Sequence, residues 1–334
     1  MTSSIAQTIT SRLGRGTISA AISLSIVGAA AFTLYRLLRD VDAGRVLAAL
    51  DAQSIVRIAI AGAFVIAGYV TLTFYDLFAL RVIGRNNIPY SVAALASFTS
   101  STIGHSLGAA VLTGGLVRLR IYSAWGLTVI DIAKIAFVTG MTFWLGNALL
   151  LGGAIAYAPQ AVTVLDHLPP WINRTIGLAG LLAIGCYLAW LAPRPRVAGW
   201  SGWSIALPNL RSTLVQIAIG ALDLSFVTLA MYALLPASPA VGFVAPLIVF
   251  LIATLLGTVS HAPGGLGVIE ATMLIGLPQF QREELLAALL TFRALYFVLP
   301  LVLATLSLGL RELRMLARPE SGGPRTMRET ASTL

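Results

Sequence analysis

The chain has 334 residues, 57% of them hydrophobic and only 10% charged, with a formal net charge of +9. Ordinary soluble domains carry about 25% charged residues, so this composition cannot clothe a water-soluble globule. It excludes a soluble enzyme and a disordered chain, and the lack of any triplet or heptad period excludes collagen and coiled coil.

A bilayer core about 30 Å thick needs about 20 apolar helical residues. Windows of that length predict six full spans, near 17–38, 55–80, 126–156, 172–192, 212–235 and 285–311. Residues 1–16 then form a cytoplasmic N-terminus. Arg12 and Arg15 before the first run, and the small residues Ala29 to Ala31 at its end, outline a signal peptide; the length of the run and Arg36 and Arg39 beyond it favour a retained span. Between 39 and 57, Val46, Leu47 and Leu50 predict a short interfacial helix. Two further apolar regions, 89–117 and 241–277, are rich in Gly, Ser, Thr and Pro and break in the middle. The first breaks around Gly104 and Gly108, with Gly114 and Gly115 following; the second breaks at Pro263, Gly264, Gly265 and Gly267. Broken helices at membrane depth survive only where protein or a wet cavity satisfies the freed backbone groups, so both are predicted to be re-entrant hairpins.

Arginine supplies 21 of the 22 basic residues, Lys134 being the exception. With both termini inside, 14 basic residues fall on the cytoplasmic side and six outside, which sets the orientation. The excess charge is thus a topology signal and a contact for anionic lipid, and no nucleic-acid partner is expected. The first hairpin enters from the cytoplasm and the second from outside, so residues 17–156 and 172–311 form an inverted repeat. Phe98-x3-Thr102 with Gly114-Gly115-Leu116 is echoed by Phe250-x3-Thr254 with Gly264-Gly265-Leu266. Paired broken helices in inverted repeats are the architecture of alternating-access transporters. The expected fold is an all-α polytopic membrane protein, six spans plus two re-entrant hairpins, ending in a disordered basic cytoplasmic tail over 312–334.

Asp76, Asp131, Lys134, Asp223, Glu270 and Arg293 fall inside the presumed hydrocarbon, where each costs about 2.5 to 3.5 kcal/mol unless paired or wet. Asp131 and Lys134, three apart on one helix, are expected to pair, as are Glu270 and Arg293. Asp76 and Asp223 then remain without a cation, to meet a proton or a cationic headgroup. His105 and His261, one at each break, read either as polar plugs or as titrating groups. Arg118 and Arg120 at the mouth of the first hairpin are candidates for bidentate contact with a lipid phosphate. Gly104-His105-Ser106-Leu107-Gly108 matches the G-x-S-x-G pattern of hydrolases, but a membrane hairpin offers no strand-to-helix elbow, so no catalytic residue is assigned. The single Cys186 excludes a disulfide framework. No spacing suits a metal or a cofactor, and none is expected.

The stretch Ala94 to Thr128 resembles the membrane domain of bacterial lysylphosphatidylglycerol synthetase/flippase proteins, and PGGLGVIEA from Pro263 to Ala271 is similar to that superfamily's second signature. Tyr75-Asp76 fits its acidic second span. The resemblance implies the lipid-translocating half without the synthetase domain: an inner-membrane protein that moves an aminoacylated or other phospholipid between leaflets. The alternative is a non-transporting scaffold that presents lipid to a separately encoded synthase, and an intramembrane hydrolase is third. Homo-oligomers are left open.

Overall fold

A computed structural model describes residues 42–108, 110–193, 196–200 and 203–316. The predicted span 17–38, the N-terminal segment 1–16 and most of the basic tail lie outside them. In chain order the α-helices of nine residues or more are α1 Ala43–Asp51, α2 Ile55–Val82, α3 Tyr90–Leu107, α4 Ala110–Tyr122, α5 Val129–Tyr157, α6 Pro170–Leu191, α7 Leu210–Leu234, α8 Val244–Ser260, α9 Val268–Gly276, α10 Arg282–Arg293 and α11 Leu299–Leu316, with a single turn at Thr163–Asp166 between α5 and α6. A π-helical turn over Ala294–Val298 joins the last two.

Capping chemistry places several helix starts. Asp42 accepts from Gly44 N–H at the head of α1, Asn209 accepts from Ser212 N–H at α7, and Thr128 with Asp131 closes a capping box on α5. Among the described residues five helical stretches are long and apolar enough to cross a membrane: α2, α5, α6, α7, and α10 with α11 over Arg282–Arg311. Twenty-eight residues give α2 a length of about 42 Å, enough to span with tilt. The remaining apolar helices are shorter and come as two helix–break–helix hairpins, α3 with α4 and α8 with α9. Their arms run back on each other: the backbone of Gly114 lies against Ser100, and Gly276 against Val249.

Side chains are distributed as a bilayer requires. Apolar residues such as Ile66 and Val70 on α2 and Leu178 and Leu182 on α6 are at least half exposed, whereas Asp76, Ser97, Thr142, Asn147, Gln216 and Asp223 are buried. The main core joins α2, α7, α8, α9 and α10 through Tyr69, Leu72, Met231, Phe250, Met273 and Phe292.

Two departures from the sequence reading are local. Val197–Trp200 and Trp203–Ala206 form a two-stranded antiparallel ladder, with Trp200 opposite Trp203, where an irregular loop in an all-α chain was expected. Their aromatic and β-branched residues favour extended backbone. The helix of α11 also continues to Leu316, past the predicted start of the disordered tail at 312.

Close helix crossings run through glycine. A β-carbon on Gly220 of α7 would stand 2.2 Å from the Thr142 carbonyl oxygen of α5, where Gly146 also packs. Gly220→Ala should therefore push α5 and α7 apart and destabilise the fold by about 1 to 3 kcal/mol. Gly140→Ala, with nothing within 4 Å, is the control. Thermal unfolding in detergent measures both; equal midpoints would mean the crossing is not tight.

Candidate functional site

The first hairpin places one buried charge cluster. Asp76 on α2 is fully buried, and Arg118 on α4 grips it with Nε and Nη2 at 2.8 to 3.1 Å, while the Tyr122 hydroxyl donates to Oδ2 at 2.9 Å. This overturns the expectation that Asp76 lacks a cation. It also turns Arg118 inward, away from the phosphate role read from sequence. Residues two apart on a helix point about 200° from each other, so Arg118 faces the core and Arg120 faces out.

The second hairpin carries the other cluster. Arg293 Nε donates to Glu270 Oε1, Arg293 Nη1 donates to the Gly264 carbonyl at 3.0 Å, and Glu270 Oε2 accepts the Gly267 N–H at 2.8 Å. The guanidinium also lies 5.5 Å from the centre of the Phe297 ring. The pair fastens the Pro263–Gly267 break to the last span and satisfies backbone groups that the break releases. Arg293 Nη2 is buried without a hydrogen bond.

The two breaks meet. Gly108, at φ +76°, sits so close to the backbone of His261 that a β-carbon would lie 2.6 Å from its carbonyl oxygen, and Pro263 adjoins. His105 and His261 are both exposed near this junction, and His261 Nδ1 lies 2.8 Å from the Val259 carbonyl oxygen. Ser106 of the G-x-S-x-G match is inside helix α3, with no strand leading to it.

Asp223 on α7 differs from the other buried acids. It is 5% exposed, accepts one hydrogen bond on Oδ2 from the Tyr75 hydroxyl at 3.0 Å, and its Oδ1 has no hydrogen-bond partner. Toward that oxygen α2 presents Gly68, where a β-carbon would be 3.8 Å away. Tyr69 donates to the Tyr296 carbonyl at 2.9 Å, an oxygen within the π-helical turn just after Arg293. An unsatisfied carboxylate oxygen in such a core carries a large desolvation cost, and acids buried at membrane depth commonly mark functional sites.

The chain is 31% identical over 246 residues to the inner membrane protein YbhN of Escherichia coli, across 72% of this chain and 75% of that one. The chain belongs to the YbhN family. It is also 33% identical over 264 residues to the uncharacterized protein slr0712 of Synechocystis sp., across 78% of this chain and 82% of that one. No family model matches the chain. The relative's name and the five apolar helices agree on an integral membrane protein.

Within this YbhN-family chain the Asp131–Lys134 pairing is replaced. Asp131 meets Arg85 Nη2 at 2.9 Å and the Thr128 N–H at 3.0 Å, because it is the third residue of α5 and serves the capping box. Lys134, one turn on, is half-buried. Sequence reasoning missed Arg85, Tyr122 and the hydroxyl role of Tyr75. Tyr75 adjoins Asp76 in the sequence yet meets Asp223, and no acid adjoins Tyr122, so spacing carried no signal for either partner. Among the described residues no three of His, Cys, Asp and Glu come together as metal ligands.

Proposed function

We propose that the chain is a lipid translocase of the bacterial inner membrane, moving an aminoacylated or other phospholipid between leaflets by alternating access and without a chemical step. The observation that carries this reading is Asp223, a buried carboxylate with one oxygen unsatisfied, in the core that also packs the second broken helix. A buried acid with one oxygen open attracts a cationic headgroup, and the resemblance to lysylphosphatidylglycerol flippases supports such a headgroup. Arg120, exposed at the end of α4, takes over the phosphate contact that sequence shared with Arg118. The meeting of two broken hairpins supports an inverted repeat whose site lies near the midplane.

Reconstitution into liposomes with a panel of labelled lipids tests the reading, and movement of a cationic phospholipid is the expected result. If the protein moves no lipid, the scaffold that presents lipid to a separate synthase takes its place. Orientation is tested, in a Cys186→Ser background, by single cysteines at four exposed positions that flank the hairpins. Ser91→Cys and Ser123→Cys should react from the cytoplasmic side only, and Ser238→Cys and Gln281→Cys from the outer side only. Labelling of 91 and 123 from opposite sides would remove the re-entrant hairpin and the repeat with it.

A further inference from the structure

At one end of the bundle, α1, the start of α2, the end of α7 and the start of α10 surround a cavity of about 400 Å³, within the usual range for small-molecule sites. It is separate from the Asp223 site: Arg57 and Gly68 are eleven residues apart on α2, about 16 Å along the axis. Four polar side chains line it, Gln53, Ser54, Arg57 and Glu284, against small apolar walls that include Ala52 and Ala237.

The polar groups are held in place. Arg57 Nη1 donates to the Leu235 carbonyl at 2.9 Å, which fixes the guanidinium while leaving its other N–H groups to the cavity. Gln53 Oε1 accepts the Thr291 hydroxyl at 2.7 Å, so the Gln53 amide nitrogen remains a donor. Ser54 heads α2 without a side-chain cap, and the positive end of the helix dipole opens on the same side. Glu284 provides negative charge from the first turn of α10. Arg57 and Glu284 line one cavity and form no ion pair with each other among the described residues. Two opposite charges that do not neutralise each other are complementary to a ligand carrying both signs.

We propose that this cavity binds the zwitterionic headgroup of a phospholipid, its phosphate at Arg57 and the Gln53 amide and its primary ammonium at Glu284. A soluble zwitterion shares that chemistry. The lipid is favoured because Ile55 and Val56, directly after Ser54, are 75% and 61% exposed and continue as the apolar outer surface of α2, along which acyl chains lie. The proposal rests on the reading of the chain as a lipid-handling protein and adds a headgroup class. Its test reads binding, so it can fail while translocation succeeds, and the reverse.

The full chain carrying Cys186→Ser and Ala237→Cys is placed in nanodiscs of phosphatidylglycerol with rising phosphatidylethanolamine, and maleimide labelling of residue 237 is timed. Phosphatidylethanolamine should slow labelling about tenfold, and Glu284→Gln, which keeps size and polarity, should remove most of that protection. Arg57→Lys should retain part of it. Glycerophosphoethanolamine added to phosphatidylglycerol discs separates the sources: weak protection supports the lipid, and protection equal to that of phosphatidylethanolamine overturns the lipid in favour of a free zwitterion. Labelling that is equally fast in both lipids, or protection that survives Glu284→Gln in full, overturns the site itself.

Discussion

Asp76→Ala or Arg118→Ala should each cost about 3 to 5 kcal/mol and strip most of the folded protein from the membrane, because truncating one member of a buried pair strands the other. Asp76 is 0% exposed and Arg118 7%. Without the guanidinium, the carboxylate keeps only the Tyr122 hydroxyl. Without the carboxylate, a permanently charged guanidinium is left among Ile121, Leu80 and the rest of that apolar cluster. The double variant Asp76→Leu with Arg118→Met removes both charges together and should recover much of the loss. The Glu270–Arg293 pair should be more forgiving, since its members are 12% and 14% exposed and the one left behind keeps its own bond to a backbone group of the second break. Folded yield by gel filtration in mild detergent and the unfolding midpoint report both effects. Single variants that accumulate and melt like the parent would show that the pair does not hold α2 to α4.

Asp223→Asn should behave in the opposite way, folding well and failing in transport. Asparagine keeps the shape, and its carbonyl oxygen still accepts from the Tyr75 hydroxyl, so the one hydrogen bond the carboxylate receives is preserved. What disappears is the ionisable carboxyl, a group that no cation faces among the described residues. Loss of about 1.4 kcal/mol of differential headgroup binding corresponds to a tenfold fall in translocation of a cationic lipid. Neutral and anionic lipids should be affected less. Tyr75→Phe offers a second measure, since it leaves the carboxyl in place and removes the remaining hydrogen bond. If Asp223→Asn moves every lipid as fast as the parent, the acid is structural and the headgroup argument ends.

Glu270 with Arg293, and Asp131 with Lys134, show how far sequence reaches into such a core. Both were paired on proximity along the chain or between neighbouring segments. Glu270 and Arg293 do meet, because the break at Pro263–Gly267 and the last span are neighbours with short connections. Asp131 instead meets Arg85, 46 positions away, because its place at the head of α5 turns the carboxylate toward the helix start and the α2–α3 connection. Spacing along one helix gives opportunity, and competition from a cap and a loop arginine decides the outcome.

Sequence by itself determined the solvent of this protein, the positions of its long apolar helices from residue 55 onward and the places where its two hairpins break. Those are local properties, since hydropathy over about 20 residues and the helix-breaking chemistry of Gly and Pro act where they stand. Only the tertiary structure decided which charge answers which. Asp76 is neutralised by Arg118, whereas no cation among the described residues neutralises Asp223, although both are acids on apolar helices. The reason is rotational: a helix turns about 100° per residue, so the neighbour a side chain meets depends on how helices pack, and that is set by crossings such as Gly220 on Thr142 and Gly108 on His261. The cavity between α1 and α10 has the same origin, because Arg57 and Glu284 are brought to one cavity by stretches around 49–57, 234–237 and 284 that are far apart in the chain.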